Sequence, residues 1–259
     1  MATRLGRSHA APAAAQLVIG LVDNLSPPGA RRTERQFSEL IEVAAADEPV
    51  ILRYFSLTSP ASARPGVYGD LRALQACRLD GLVVTGSRPT TSDLRDEPIW
   101  PRLTAVVDLA RERAIPTVWS CLSAHAAVLH LHGIRRRKLP RKLSGVVECT
   151  RTATDHPIVA GAPPAWRVPH SRYNDLPEPE LVAAGYQILS HSAEAGADTF
   201  VLDDGAPFLF FQGHPEYEAR TLLREYHRDI GEYLCGERQD VSAQPRASTD
   251  WPCRVMRIA

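Results

Sequence analysis

Pro116-Thr117-Val118-Trp119-Ser120-Cys121-Leu122-Ser123 decides the reading of this chain. A short apolar run over 116–120 has the length and β-branched content of a buried strand, and the apolar stretch 122–131 that follows is long enough for a helix, closed by Gly133. The same rhythm extends upstream. Trp100 to Arg113 is amphipathic, with Leu103, Val106, Val107 and Ala110 on one face, and Leu82–Thr85 ahead of it is a strand ended by Gly86. A short helix is expected over 70–77, behind a Pro/Gly/Ser-rich connector at 56–69. Further back, Val50–Phe55 and Leu17–Val22 read as strands, separated by a helix that begins at Thr33 and shows Phe37, Leu40, Ile41 and Ala44 at helical spacing. Strand and helix alternating in this way imply a mostly parallel sheet covered on both faces, an α/β fold.

Beyond residue 140 the pattern changes. Gly145–Thr150, Pro157–Ala160, Tyr186–Ser190, Thr199–Leu202 and Pro207–Phe211 are strand-like and separated by turns, so an antiparallel edge extension is expected. Glu218–Leu234 returns to a helix with Leu222, Leu223, Tyr226, Ile230 and Tyr233 as its apolar face. Residues 1–16 read as a disordered tail, 17–236 as one domain, and 237–259 as a poorly ordered tail.

Composition bounds the function. Of 259 residues 44% are hydrophobic and 23% charged, which excludes disorder, collagen and coiled coil for the chain as a whole. Thirty basic residues balance thirty acidic ones, so nothing electrostatic points to nucleic acid or an anionic membrane as partner. No apolar run reaches the length of a membrane span, and the N-terminal residues lack the apolar centre of a secretory signal, so a cytoplasmic location is expected. The five cysteines are scattered and form no CxxC pair, which argues against a disulfide framework or structural zinc.

A thiol at position 121 would stand on a sharp strand-to-helix turn, exposed above the sheet. The helix start favours its ionised form and offers backbone N–H groups to an oxyanion. The competing view is that an isolated cysteine is a small buried hydrophobe. A second spot follows the run Phe208-Leu209-Phe210-Phe211, where His214 and Glu216 are separated by one residue. There a carboxylate can orient an imidazole that deprotonates the thiol, against the alternative of a loop histidine near an exposed acid. Together with Cys121 these residues make a coherent Cys-His-Glu set.

Several blocks in order resemble one family: Asn24-Leu25 with Pro27 and Thr33-Glu34; Asp80-Gly81-Leu82-Val83-Val84-Thr85-Gly86 with Trp100; Cys121 with Ala124 and Ala126; Lys142-Leu143-Ser144-Gly145-Val146; Pro169-His170-Ser171-Arg172-Tyr173; and Gly213-His214-Pro215-Glu216-Tyr217 with Thr221-Leu222, Glu225-Tyr226 and Arg228-Asp229. The chain resembles the homoserine O-acyltransferases of the trans-succinylase type, from about Gly20 to Gly236. The resemblance implies a flavodoxin-like, class I glutamine-amidotransferase-like doubly wound sheet and ping-pong acyl transfer from an acyl-CoA to the hydroxyl of homoserine or a related amino acid, a step of methionine biosynthesis. It implies Cys121 as nucleophile, His214 as base and acid, Glu216 as its orienting group, and Leu122 N–H as an oxyanion donor. It also implies Arg228 on the amino acid carboxylate, Glu225 at the amino group, and Ser171 and Lys142 lining the pocket. Acyl-CoA enters as a donor substrate, with no cofactor or metal, and a homodimer is an admissible assembly.

Departures qualify the substrate. In the loop Gly86-Ser87-Arg88-Pro89-Thr90, Pro89 has no N–H, so if that position supplies the second oxyanion donor, either a neighbour such as the Arg88 amide serves or the enzyme does without it. Thr90 stands where the family has Gly in succinyl-using members and Glu in acetyl-using ones, leaving the acyl donor open. The loop 26–30 lacks the family's lysines, Leu122 and His125 replace an expected Trp and Gln, and the chain ends earlier than most members. A specialised acyltransferase, a cysteine amidase or glutaminase of the same fold, and a silent binding module are the alternatives. His130 and His132 are two apart and point to different sides of a helix, a poor metal pair. Arg135-Arg136-Arg137-Lys138 with Arg141 could attract the coenzyme A phosphates or be a loop of solvated charge. Cys77, Cys149, Cys235 and Cys253 read as structural or incidental.

Overall fold

In a computed structural model the residues described are 16–24, 27–46, 48–58, 67–218 and 220–238, without the side chains of 27–31. Four strands alternate with helices as expected, and a fifth, β3, lies in the stretch read as a connector: β1 (Leu17–Val22), α1 (Pro27–Ala45), β2 (Val50–Phe55), β3 (Tyr68–Gly69), α2 (Leu71–Ala76), β4 (Gly81–Val84), α3 (Trp100–Glu112), β5 (Thr117–Ser120) and α4 (Leu122–His132). Then come β6 (Arg137–Arg151), β7 (Ala165–Asp175), α5 (Glu178–Ala183), β8 (Gln187–Ser192), β9 (Gly196–Asp203), β10 (Pro207–Phe211) and α6 (Thr221–Leu234). Among the described residues these strands form one ten-stranded sheet in the order β3-β2-β1-β4-β5-β10-β9-β8-β6-β7. The chain is α/β, mostly parallel on one side and antiparallel on the other.

The two faces of the sheet separate by strand alternation. Leu82 and Val84 of β4, Trp119 of β5, and Phe208 and Phe210 of β10 point to the face packed by Leu103, Val106, Val107 and the alanines of α4. Val83 and Leu21 point the other way, onto Phe37 of α1. Leu209 and Phe211 join Leu189 and Val201 over a second core patch closed by Val159. Local signals bound the helices: Asp70 caps α2 by accepting the Ala73 N–H at 2.9 Å, and Gly133 ends α4 in the left-handed region at φ 69°.

Two expectations are corrected. Pro157–Ala160 is a series of turns, not a strand. Pro157 has no N–H for a ladder, and Val159 serves instead as a fully buried plug. Pro207–Phe211 does not lie at an edge: β10 runs parallel beside β5, with Phe211 opposite Ser120, and antiparallel to β9. It is the seam at which the parallel half becomes antiparallel. Smaller differences concern ends. Helix α1 begins at Pro27 and not Thr33, since Pro is tolerated in a first turn, and the basic run enters strand β6 at Arg137. Of the segment 237–259, Glu237 and Arg238 are described, and the Arg238 side chain is largely covered, with Nη1 2.9 Å from Asp229 Oδ2. Residues 1–15 and 239–259, with Cys253, lie outside the described residues.

Candidate active site

The seam between β5 and β10 assembles the site. Both strands run the same way, so both end at the same edge, where open α/β sheets bind their ligands. Cys121 follows β5 immediately, and its N–H donates to Phe211 O at 2.8 Å, tying the end of one strand to the end of the other. Cys121 has φ 52° and ψ −114°, a conformation that a non-glycine residue holds only when its surroundings fix it. Those surroundings include Gly86: a Cβ there would come within 2.8 Å of Leu122 N and 3.1 Å of Ser120 O. The backbone at the end of β4 therefore lies directly against the amide that opens α4. Ser123 closes the same contact by donating from Oγ to Thr85 O, and Asn24 holds Thr85 O through Nδ2 at 2.9 Å.

From β10 the chain passes through Gln212 and Gly213 to His214, whose N–H donates to Pro169 O at 2.8 Å. Gly213 admits no side chain, because a Cβ would stand 2.5 Å from Val168 Cγ1 and 2.7 Å from Asp198 Oδ1. His214 Nδ1 lies 2.9 Å from Glu216 Oε1, and the Cys121 thiol is within hydrogen-bonding reach of the ring. Tyr217 stacks on the imidazole with centroids 4.0 Å apart and planes 16° from parallel. Burial pulls the His214 pKa down, but the charges of Cys121 and Glu216 outweigh it and hold the group well above its usual value. An imidazole sandwiched between a thiol and a carboxylate in this way can take a proton from sulfur and keep it.

Helix α6 supplies the flanking charges. Tyr217 Oη donates to Glu225 Oε1 at 2.8 Å, linking Glu225 to the face of His214. Lys142 Nζ meets the buried Asp229 Oδ2 at 2.5 Å, and Arg228 Nη2 reaches Asp229 Oδ1 at 3.2 Å while half of its side chain stays exposed. Lys142 and Arg238 both lie over the Tyr173 ring, at 5.5 and 5.2 Å from its centroid. Ser171 is half-buried on β7 and shares the face of Tyr173 by strand alternation. Arg88 pairs through its side chain with Glu232 of α6. Thr90 is turned toward the buried Glu97, which accepts Thr90 N at 2.7 Å, Thr90 Oγ1 at 2.9 Å and Thr91 N at 2.6 Å. Arg136 secures the same loop by donating to Thr91 O and Ser92 O at 3.2 and 3.1 Å.

Cys121, His214 and Glu216 thus come together, with Leu122 N beside Gly86, and Glu225 joins them through Tyr217. Lys142 and Arg228 meet on Asp229 instead of on each other, and Thr90 and Arg88 are engaged by Glu97 and Glu232. Sequence reasoning assigned no role to Asp229 or Glu97: both sit in runs of mixed charge that resemble a solvated surface. A second buried group, Cys149, His170 and Asp198, has its ligand atoms within 4.8 Å of one another. Its carboxylate already accepts from Ser190 Oγ, Thr199 Oγ1 and Gly213 N at 3.2, 2.8 and 3.2 Å, and burial drives the Cys149 thiol far up in pKa. A neutral thiol and a satisfied carboxylate make this group a scaffold beneath Gly213 and His214.

Comparison with known proteins bears on the family and the fold. The sequence model of homoserine O-succinyltransferase matches residues 6–244. A homoserine O-succinyltransferase of Methylorubrum extorquens is 49% identical over 240 residues, 90% of this chain and 71% of that protein. One of Rhodopseudomonas palustris is 45% identical over 92% of this chain and 74% of its own length. Among solved structures, a glutamine amidotransferase from Thermotoga maritima superposes with a TM-score of 0.59 at 14% identity, covering 86% of each chain. A glutamine amido transferase from Methylobacillus flagellatus gives 0.55 at 18% identity, over 88% of this chain and 79% of its own. At these identities the structures speak for the fold, which is that of class I glutamine amidotransferases, while the sequence matches show that the chain belongs to the homoserine O-succinyltransferase family.

Proposed function

We propose that the chain transfers an acyl group, with succinyl the first choice, from a coenzyme A thioester to the hydroxyl of homoserine through a thioester on Cys121. The observation that carries this reading is the Cys121 thiol on its constrained turn, within reach of an imidazole whose Nδ1 lies 2.9 Å from Glu216. His214 takes the thiol proton, and the Cys121 thiolate adds to the donor carbonyl. The tetrahedral oxyanion rests against the Leu122 N–H and the amide of Arg88 in the Gly86 loop. Collapse breaks the bond to the coenzyme A sulfur, which leaves with the proton from His214. In the second half His214 removes the hydroxyl proton of the acceptor, whose oxygen attacks the acyl-enzyme and releases the Cys121 thiolate, and the imidazolium proton returns to that sulfur. Glu216 keeps the ring in one tautomer and balances its charge.

Arg228 supplies a planar fork for the acceptor carboxylate, Glu225 faces its ammonium, and Lys142, Ser171 and Thr90 line the pocket. The enzyme works in the cytoplasm on small molecules, without a resident cofactor, as a monomer or homodimer. Incubation with succinyl-CoA and homoserine should release free CoA thiol, and mass spectrometry after succinyl-CoA alone should find one acyl group on Cys121. Cys121→Ser should lower turnover by about three orders of magnitude or more, a hydroxyl being a far weaker nucleophile than a thiolate. No adduct with succinyl-, acetyl- or propionyl-CoA, or turnover in Cys121→Ser close to that of the unaltered protein, overturns the reading. The glutamine-amidotransferase fold motivates a second reading, a glutaminase, and ammonia release from glutamine in place of CoA release would favour it.

A further inference from the structure

His125 lies one helical turn beyond Cys121, and its N–H closes the first turn of α4 on Cys121 O at 3.2 Å. Its side chain is buried and reaches across the seam, with Nε2 3.0 Å from Gln212 Oε1. Gln212 is the residue between β10 and Gly213-His214, and it is completely buried. Its amide orientation is fixed on both sides: Nε2 donates to Ala197 O at 2.7 Å, while Oε1 accepts Leu176 N at 3.0 Å. Oε1 is therefore an acceptor, and His125 must carry its proton on Nε2. Arg172 adds a longer contact to the same oxygen at 3.4 Å, and also pairs with Asp175 at 2.9 Å. Burial, then the neighbouring Arg172 and Arg136 charges, lower the His125 pKa to about 3. The ring is a neutral donor at any working pH.

Beyond the β5–β10 ladder itself, two contacts past the strand ends join the segment that carries the thiol to the segment that carries the imidazole. One is the Cys121 N–H on Phe211 O; the other is His125 on Gln212. The first acts through backbone. The second crosses between the interior of α4 and the exit of β10, two residues before His214.

We propose that His125 is a positioning residue, a neutral hydrogen-bond clamp that, with Gln212, sets the separation of Cys121 Sγ from the His214 ring. This rests on the proposed acyl-transfer chemistry only for its effect on turnover. The clamp itself acts on the pairing of thiol and imidazole, which a simple alkylating agent reads without any substrate. The charged or titratable groups facing that pair are Glu216, Tyr217 and His170 around His214, and Arg136 toward Cys121. Of these, Arg136 also faces the His125 ring, so the three variants are compared with one another as well as with the unaltered chain.

The test compares three variants in the full chain. His125→Leu removes the donor, His125→Asn keeps a polar group too short to reach Gln212, and His125→Gln keeps an amide N–H that can span the gap. For each, iodoacetamide alkylation of Cys121 is followed against pH, kcat and KM are measured with succinyl-CoA and homoserine, and thermal melting reports folding. A displacement of about 1 Å at a reacting pair costs on the order of 100-fold. In His125→Leu and His125→Asn, kcat should fall about 30- to 100-fold with KM within about threefold, and the alkylation midpoint should rise by about one pH unit. His125→Gln should recover both to within about fivefold. If His125→Leu does not fold, His125→Asn carries the comparison. An unchanged alkylation midpoint in a folded Leu or Asn variant overturns the clamp, as does a loss in kcat that His125→Gln fails to recover. Absence of acyl transfer in the unaltered protein, with the midpoint shift still present, would sink the proposed function and leave the clamp standing.

Discussion

Replacing His125 by Gln should flatten the dependence of stability on acid. In the folded chain this imidazole stays neutral down to about pH 3, while in the unfolded chain it titrates near its ordinary 6.5. Between those values the unfolded state binds a proton that the folded state refuses. Stability therefore rises with pH through this window and is lost as pH falls from 6.5 toward 3. Going from pH 7 to pH 5 protonates the unfolded group almost fully and leaves the folded one untouched. The linkage integral over that interval is about 1.4 pH units, or about 2 kcal/mol of unfolding free energy. His170, whose pKa burial also lowers, pushes in the same direction, as do the carboxylates in their own ranges, but these are common to both proteins. Urea unfolding at pH 7 and pH 5 isolates the difference. The unaltered chain should lose about 2 kcal/mol more than His125→Gln, with matching slopes against urea. Parallel losses within about 0.5 kcal/mol, or a greater acid sensitivity of the variant, would refute a neutral buried imidazole at this position.

Other perturbations probe the remaining parts of the site and core. Glu216→Gln keeps the shape beside His214 Nδ1 but removes the charge that raises the imidazole pKa. Turnover should fall about 10²- to 10⁴-fold, and the rise of kcat/KM with pH should move to lower pH. Gly213→Ala places a Cβ 2.5 Å from Val168 Cγ1, so melting should show a loss of about 1–3 kcal/mol, with kcat falling more than KM rises because His214 is the next residue. Phe210→Ala empties a fully buried site stacked on Phe200 at 4.9 Å, and denaturant unfolding should register about 3–5 kcal/mol.

Strands β1, β2, β4 and β5 were legible because each is a short apolar run with a helical stretch further on, whereas Tyr68–Gly69 of β3 lies in the Pro/Gly/Ser-rich stretch read as a connector. Apart from β3 and the start of α1, the boundaries agree to within a few residues from Leu17 to Gly133. The Cys-His-Glu set was legible for a related reason: each member stands just past an apolar run, where a strand must end. The partner of β10 was not. Phe208 to Phe211 is apolar without alternation, the mark of a strand buried on both faces, and that feature could have placed it inside the sheet. Strand β7 was hidden by its own chemistry, since its buried residues include His170, Arg172 and Asp175. A polar inward face reads as a loop unless its partners are known. Pro157–Ala160 misled in the opposite sense, its apolar residues serving as a plug. Asp229 and Glu97 lay beyond reach because burial of a single acid in a charged run leaves no periodic trace.

The adjacency of β5 and β10 also sets the order in which the molecule becomes reactive. A chain emerging from the ribosome carries its nucleophilic sulfur long before the imidazole and carboxylate have been synthesised. Until residues 207–216 dock at the seam, neither His214 nor Glu216 stands beside that thiol. On the proposed mechanism, activation of the sulfur therefore waits until residues 207–216 have joined β5.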